Sequence, residues 1–284
     1  MREVHFSPPF PEETLFRRVQ VNLPFPLLLE QLEAVLASGL QPEVYFSGFV
    51  LDHLASKDAE RTSRALQDRK VPITFHGPFM DLNPGAADEK VREITAFRFG
   101  QVLALVPLFH PRAIVLHPGY DRWRYDDDVD LWLENSLLTW KPLVERAESV
   151  SVRMALENVF EEKPEILRRL LEEINSPFLG YCLDAGHGNL FSQVPLEEWV
   201  EVLGSRLMEI HLHDNHGEAD DHLPLGQGDI DFPSLFSLLE KKKLKPIYTI
   251  EPHEIAHLQP SLKALEKYLG EKGKRRKGER AKEV

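Results

Sequence analysis

Histidine and carboxylate side chains crowd into residues 208–222, which read M-E-I-H-L-H-D-N-H-G-E-A-D-D-H. These are the side-chain types that bind zinc, manganese and related divalent ions in proteins. A solvated loop rich in histidine would have the same composition, so this stretch alone does not establish a metal site. A site needs further ligands, and the elements of the rest of the chain must bring them to the same place.

Short apolar runs alternate with helical patterns along the chain. Eight runs predict strands, at residues 16–23, 43–46, 71–75, 113–116, 151–156, 178–183, 207–210 and 246–250. Helices are predicted at residues 27–38, 58–69, 88–108, 129–149, 164–174, 195–203, 233–242 and 259–269. Alternation of this kind indicates a parallel sheet, and eight units are the number of a closed barrel.

We therefore predict an α/β fold with a single (β/α)8 TIM barrel. An open doubly wound sheet is the alternative, but the first predicted strand is followed by N-L-P-F rather than by a glycine-rich phosphate-binding turn. No linker or change in composition divides the chain. The barrel is expected to span residues 1–270, with an irregular N-terminal lead-in, and residues 271–284 form a basic tail expected to be disordered.

The composition excludes several classes of protein. The net charge is −12 although the tail is basic, and an acidic body is a poor partner for nucleic acid, because phosphate contacts need Lys and Arg. No run reaches the ~20 apolar residues of a membrane helix, and the N-terminus does not resemble a signal peptide. The single cysteine, Cys182, cannot form an internal disulfide and is expected to be buried. We expect a cytoplasmic protein that does not contact membranes.

A ligand-type residue follows directly after each of the last six predicted strands. These residues are His76, His117, Glu157, Asp184, His211 and Glu251. In a parallel barrel the carboxyl ends of all strands open on one face, where active sites lie, so the six side chains should converge.

Two shorter motifs add further candidates. In D-A-G-H, His187 lies three residues after Asp184, and a tight turn there would let both side chains face the same pocket. In D-D-H, Asp220 and His222 alternate like residues on one side of an extended segment. The sequence therefore predicts a metal site with up to nine ligands.

These motifs resemble the xylose isomerase-like barrel superfamily that includes endonuclease IV (AP endonuclease family 2). The resemblance runs from about Val19 to Glu251, and its carriers are H-G-P-F, V-L-H-P-G, L-E-N, L-D-A-G-H, E-I-H-L-H-D-N, D-D-H-L-P-L-G-Q-G-D-I-D-F and I-E-P-H. They are specific for the superfamily but much less so for one activity, because isomerases, epimerases and phosphodiesterases share them.

The resemblance implies three groups of metal ligands. One ion would be bound by His76, His117 and Glu157; a second by Glu157, Asp184, His211 and Glu251; and a third by His187, Asp220 and His222. The expected cofactors are thus divalent ions, zinc or manganese, up to three per chain. Single-metal epimerases of the superfamily need only the second group.

Two enzymatic functions follow, with Glu157 and Glu251 as catalytic residues in each. The complete ligand set favours hydrolysis of a phosphodiester, with a small nucleotide-like or cobamide nucleotide-loop substrate rather than duplex DNA. The alternative is isomerisation or epimerisation of a sugar or sugar phosphate, with one ion and the two glutamates exchanging a proton with substrate. A barrel that binds metal or sugar without catalysis is a third possibility, which the intact glutamates disfavour.

Five further residues are predicted to contact the substrate, which is expected to carry phosphate. Arg122, Trp123 and Arg124 follow the fourth strand, where the arginines could bind phosphate and the tryptophan could stack on a ring. His213 and His253 flank predicted ligands and could contact the substrate or support those ligands.

Overall fold

Eight parallel strands close into one barrel. The computed structural model describes residues 19–280, with side chains described through Leu269. The strands pair in chain order, and the first also pairs with the last. They are β1 (Val19–Pro24), β2 (Gln41–Tyr45), β3 (Thr74–His76), β4 (Ala113–Leu116), β5 (Arg153–Glu157), β6 (Leu179–Asp184), β7 (Leu207–Leu212) and β8 (Ile247–Ile250). The predicted TIM barrel is confirmed.

Twelve α-helices lie between and after the strands in this part of the chain. They are α1 (Phe25–Glu30), α2 (Leu32–Ser38), α3 (Gly48–His53), α4 (Ser56–Asp68), α5 (Glu89–Phe109), α6 (Arg122–Tyr125), α7 (Val129–Ser149), α8 (Pro164–Ile174), α9 (Ala185–Phe191), α10 (Leu196–Leu203), α11 (Phe232–Lys241) and α12 (Ile255–Arg280). Their apolar faces pack on the outside of the barrel, where Trp132, Trp140 and Trp199 are fully buried. No helix within residues 19–280 has the length and apolar character needed to cross a bilayer.

The strands are short and buried because helices cover the outside of the barrel while side chains fill its inside. All four residues of β4 and all six of β6 are buried. Cys182 of β6 is fully buried, as expected, and burial raises the pKa of its thiol well above the ordinary value. In register, Asp184 of β6 pairs with His211 of β7, so these two candidate ligands lie side by side at the carboxyl end of the barrel.

Five short helices differ from the prediction. The helix predicted over 27–38 is two helices, separated at Gln31, whose ψ of 17° departs from helical geometry. The helices α3, α6 and α9 were not predicted, because each has seven residues or fewer and a hydrophobic period cannot be recognised over so few positions. Each of these three begins after a capping side chain, from Ser47, Asp121 and Asp184 respectively.

The last helix continues into the basic tail. It runs to Arg280, whereas the sequence predicts a helix only to residue 269 and disorder from residue 271. Lys, Arg and Glu are good helix formers, which explains why helical backbone continues beyond the apolar pattern. Residues 1–18, which include the predicted lead-in, and residues 281–284 lie outside the described residues. The division at residue 270 stays a prediction.

A layer of polar side chains crosses the barrel interior. Glu209, Thr74 and Thr249 are fully buried there, and both threonine hydroxyls donate hydrogen bonds to Glu209 Oε1. Glu209 Oε2 has no hydrogen-bond partner among the described residues. Burial, followed by the negative charge of Glu43, raises the pKa of Glu209 to about 8. The barrel therefore contains a carboxyl group that is destabilising once it ionises.

Replacing Glu209 by Gln should stabilise the protein at high pH. The unfolded chain releases this proton near the ordinary value of 4.5 and the folded chain only near 8, so wild-type stability falls as pH rises through this window. The Gln side chain does not ionise, so it adds no such pH dependence to the stability of the variant. We expect denaturant unfolding to give a variant more stable than wild type by roughly 1–3 kcal/mol at pH 9 and nearly equal at pH 5. Glu134→Gln, on the exposed face of α7, is the control. A gain independent of pH would contradict this explanation.

Candidate metal centre

The six ligand-type residues that follow the predicted strands lie together at the carboxyl end of the barrel. His76, Glu157 and Asp184 are the last residues of β3, β5 and β6. His117 and Glu251 come one residue after β4 and β8, and His211 is the fifth of the six residues of β7. In register Glu157 pairs with Cys182, whereas Asp184 pairs with His211, so the six residues are not all at one level. All of them lie at the carboxyl ends of their strands, so the closed barrel brings their side chains to one face.

Glu157 is the centre of this group. Its Oε2 lies 3.1 Å from His76 Nε2, 3.4 Å from His117 Nε2 and 3.4 Å from His211 Nδ1, and its Oε1 lies 3.2 Å from His187 Nδ1. Burial alone would raise the pKa of Glu157, but the neighbouring His117 and His211 outweigh it and hold the pKa well below the ordinary value. A buried carboxylate is thus surrounded by four imidazoles.

His211 has one ring nitrogen directed at carboxylates and no hydrogen bond to them. Its Nδ1 lies 3.3 Å from Glu251, 3.4 Å from Glu157 and 3.8 Å from Asp184, yet this buried atom has no hydrogen-bond partner in the described chain. The other nitrogen, Nε2, lies 3.3 Å from a carboxylate oxygen of Glu43. A proton on Nε2 that is donated to Glu43 leaves the Nδ1 lone pair free for a metal, which is the usual arrangement behind a metal-binding histidine. Three carboxylates and an unpaired imidazole nitrogen therefore fit a divalent ion.

Glu43 and Asn22 belong to the site although no sequence motif contains them. Glu43 is fully buried in β2, and Asn22 Nδ2 in β1 donates hydrogen bonds to Glu43 Oε1 at 2.8 Å and to Glu251 Oε1 at 3.1 Å. One signal was available: Glu43 is the one charged residue of the strand Q-P-E-V-Y, whose first four residues are buried. A charge at such a position is rare unless it is paired.

A second cluster joins the residues of the two short motifs. Asp220 Oδ2 lies 3.6 Å from His187 Nε2 and 3.3 Å from His222 Nε2. Burial would raise the pKa of Asp220, but hydrogen bonds from these two histidines outweigh it and lower the pKa, while the pKa of each histidine is raised. His187 lies in the first turn of α9 rather than in a tight turn, and its backbone N–H donates to Asp184 Oδ1 at 2.6 Å. The start of this helix directs the side chains of Asp184 and His187 toward the same site.

His213 and His253 are at different depths. His213 is buried, and its Nε2 lies 3.1 Å from Asp184 Oδ1. Its Nδ1 is 3.7 Å from Asp220 Oδ1 and has no hydrogen-bond partner among the described residues. It is not part of the cavity wall, whereas His253 is, and His222 is stacked between the two rings at 3.7 and 3.5 Å. The position of His213 suits a metal ligand or a ligand support better than a substrate contact.

Ligand-type atoms form several groups close enough to share an ion. Five of these groups are His76–His211–Glu251, His76–His117–Glu157, Asp184–His187–His213, His213–Asp220–His222 and Glu43–Glu209–His211. The second is one of the three implied by the resemblance. The third and fourth contain His213, which the sequence interpretation placed among the substrate contacts.

A cavity of about 580 Å³ opens above these clusters. Seven of the nine predicted ligands line it, while Asp184 and His211 lie deeper. The remaining lining residues are Val21, Asn22, Leu23, Pro24, Leu27, Tyr45, Phe79, Pro252, His253 and Ile255. The candidate metal ligands are therefore accessible to a small molecule.

Three predicted substrate-binding residues are not in the wall of this cavity. Arg122, Trp123 and Arg124 form α6 together with Tyr125, and none of them lines the cavity. Arg122 Nη1 pairs with Glu162 Oε1 at 2.7 Å, and its guanidinium lies 4.4 Å from the centre of the Trp123 ring, which is 80% exposed. The structure does not bring these side chains to the ligand clusters.

Comparisons with known proteins give one family and several similar chains. The family described as Xylose isomerase-like TIM barrel matches residues 40–268. The uncharacterised protein MJ1311 of Methanocaldococcus jannaschii is 32% identical over 213 residues, 72% of each chain. A crystal structure of a D-tagatose 3-epimerase-like protein is 26% identical with a TM-score of 0.78, covering 90% of this chain and 99% of that one. The TTHB071 protein from Thermus thermophilus, a structure soaked with ZnCl2, is 27% identical with a TM-score of 0.72, covering 89% and 98%.

Proposed function

Because the chain belongs to the xylose isomerase-like TIM barrel family, we propose that it is a divalent-metal-dependent isomerase or epimerase of a sugar-type substrate. The observation that carries the proposal is the set of three carboxylates around His211 Nδ1, two of which, Glu157 and Glu251, also face the cavity. The similarity to a D-tagatose 3-epimerase-like protein supports the same class of reaction.

Glu157, Asp184, His211 and Glu251 would hold the ion. When bound, a divalent ion in such a site polarises a carbonyl and a neighbouring hydroxyl of the substrate. Carboxylate and imidazole ligands suit both manganese and zinc, and the zinc-soaked structure of a similar protein fits this ligand chemistry.

The two cavity-facing glutamates differ in their affinity for protons. Burial raises the pKa of Glu251, whereas neighbouring histidines hold the pKa of Glu157 well below its ordinary value. Groups whose pKa values are driven apart are suited to opposite roles in proton transfer. Glu157 would take a proton from the carbon next to the substrate carbonyl, and Glu251 would return one to the opposite face.

Hydrolysis of a phosphodiester is the second candidate. The cluster of His187, Asp220 and His222 favours it, because a one-ion epimerase does not require these residues. Against it, no Lys or Arg lines the cavity among the described residues, so a phosphate would depend on bound ions alone. Arg122 and Arg124 do not supply the missing contact, because neither side chain reaches the cavity wall.

The proposed function is tested by proton exchange at carbon. The full chain, reconstituted with Mn²⁺ and counted for bound metal, is incubated in D2O with a panel of ketoses, and NMR follows deuterium at the carbon beside the carbonyl. We expect exchange and epimer formation with at least one ketose. Absence of exchange with every ketose, together with three ions per chain and cleavage of a generic phosphodiester, would establish the hydrolase instead.

Removal of metal should abolish exchange and destabilise the fold. At an ion concentration ~100 times its dissociation constant, binding contributes ~2.7 kcal/mol, which corresponds to a rise in Tm of ~5–10 °C for a chain of this size. Burial would lower the pKa of His76, but the hydrogen bond to Glu157 outweighs it and raises the pKa to about 9, so ion binding must release protons and the affinity should increase between pH 6 and pH 8. Calorimetric titration with Mn²⁺ in buffers of different ionisation enthalpy measures this release; an affinity independent of pH would contradict the ligand assignment.

A further inference from the structure

Building on the proposed function, we propose that the substrate is an uncharged sugar-type molecule that keeps the carbonyl needed for proton transfer and carries an apolar substituent, such as a glycoside with a ketone on its ring and an aromatic aglycone. The proposal comes from the cavity wall beyond the candidate metal ligands, which the reaction chemistry leaves undetermined.

The charge of the wall disfavours a phosphorylated substrate. Glu157, Asp220 and Glu251 line the cavity, and no Lys or Arg does so in the described part of the chain. A phosphate on the part of the substrate that extends beyond the ion would have no cationic side chain to pair with, and desolvating an unpaired anion is costly.

One side of the cavity is apolar. The carboxyl ends of β8, β1 and β2 are neighbours in the closed sheet, and the segments at the ends of β1 and β8 contribute the accessible apolar residues Pro24, Leu27, Pro252 and Ile255, with Val21 and Leu23 buried behind them. Tyr45 at the end of β2 and Phe79 after β3 extend this surface, with ring centres 5.4 Å apart. Leu27 is half-buried and Ile255 is 48% exposed, so the apolar surface reaches the mouth of the cavity.

The Tyr45 hydroxyl and the Asn22 amide are the polar side-chain groups of this surface. Asn22 lies within it, but its amide N–H groups already donate to Glu43 and Glu251. Hydroxyl groups of a substrate placed against this wall would lose hydrogen bonds to water without replacement, whereas an apolar group would gain from leaving water. A free sugar has hydroxyl groups on nearly every carbon and suits this wall poorly.

The size of the cavity agrees with a larger molecule than one sugar ring. Its volume of about 580 Å³ falls within the ~300–1,000 Å³ range of sites for drug-sized ligands. The ligand clusters and the apolar side together leave room for a sugar ring at the ion and a second group beyond it.

Calorimetric binding to the Mn²⁺-loaded full chain tests the proposal. The probes are matched methyl and phenyl glycosides of the common hexoses, together with the free hexoses and their 6-phosphates. We expect at least one phenyl glycoside to bind about tenfold or more tightly than its methyl counterpart. Each 6-phosphate should bind more weakly than its parent hexose. Equal binding of all phenyl and methyl pairs, tighter binding of a 6-phosphate, or no binding by any probe would each overturn the proposal.

Variants locate the preference on the apolar side. Ile255→Asn, at an exposed position, and Leu27→Asn, at a half-buried one, should each reduce the preference for phenyl to less than about threefold while methyl glycosides bind as before. Leu138→Asn, on the distant helix α7 where Leu138 is 65% exposed, should retain the full preference. If both cavity variants keep the preference for phenyl glycosides, the aglycone binds elsewhere and the proposal is wrong.

The outcome separates this proposal from the proposed function. Deuterium exchange with free ketoses but no preference for phenyl glycosides would leave the isomerase assignment intact and remove the substrate class. A preference for phenyl glycosides that is lost in the two variants, without deuterium exchange into any ketose, would support the substrate class and contradict the isomerase assignment.

Discussion

Replacing Glu157 by Gln is expected to lower turnover by about 10²- to 10⁴-fold or more, because a group that transfers a proton contributes a factor of this size. The substitution keeps the shape of the side chain but removes the charge that lies within 3.1–3.4 Å of four imidazoles. It should also lower the number of ions bound per chain. Turnover and metal content are both measured after identical Mn²⁺ reconstitution.

Glu162→Gln is the matched control for this experiment. Glu162 lies in the same loop after β5 but pairs with Arg122, away from the cavity wall. The same chemical change there should leave turnover within a factor of about two, because surface ion pairs contribute little. Full activity of the Glu157 variant would mean that the reaction takes place elsewhere in the molecule.

Replacing Gly186 by Ala is expected to damage the site through its packing. A Cβ atom on Gly186 would lie 1.9 Å from Cε1 of His213, a buried ring held by Asp184 and stacked on His222. Overpacking of this kind costs about 1–3 kcal/mol. Movement of His213 removes a support of Asp184, and loss of such a support typically weakens metal binding by about 10- to 100-fold. Denaturant unfolding and Mn²⁺ titration measure the two effects.

Gly48→Ala provides the comparison, because Gly48 also lies at the start of a helix but a Cβ atom there has a longer nearest contact than at Gly186. The nearest atom to a Cβ there is the flexible Arg98 Nε at 3.3 Å, and the variant should remain within about 0.5 kcal/mol of wild type. Helix propensity favours Ala over Gly at both positions, so a loss at Gly186 alone isolates the contact with His213. Normal stability and metal affinity in the Gly186 variant would contradict the packing described.

The barrel could be predicted because its signals are local. Short runs of four to eight residues, apolar or alternating, mark the predicted strands, and long helices such as Val129–Ser149 and Pro164–Ile174 have both a hydrophobic period and clear ends. The same locality explains the grouping of the ligands, since a residue at the carboxyl end of a parallel strand has only one face of the barrel to occupy.

The unpredicted parts of the site depend on contacts between distant residues. Glu43 approaches His211 across 168 positions of the chain, and nothing near Glu43 in sequence indicates this partner. Arg122 is paired with Glu162, 40 positions away, so its apparent availability for phosphate in the sequence was misleading. Sequence patterns place a residue on a face of the barrel. They do not show which neighbouring side chain already forms a hydrogen bond or an ion pair with it.

The hydrogen bond from Asn22 to Glu251 has a consequence for the order of folding. It joins residues 229 positions apart, across the junction where β1 pairs with β8. Adjacent strand–helix units can form early from local contacts, but this junction requires the two ends of the chain to meet, which is entropically slow. Glu251 reaches its place beside His211 only then. We therefore expect the ion-binding set to be completed late in refolding, so the rate of metal uptake by a refolding chain should report ring closure rather than helix formation.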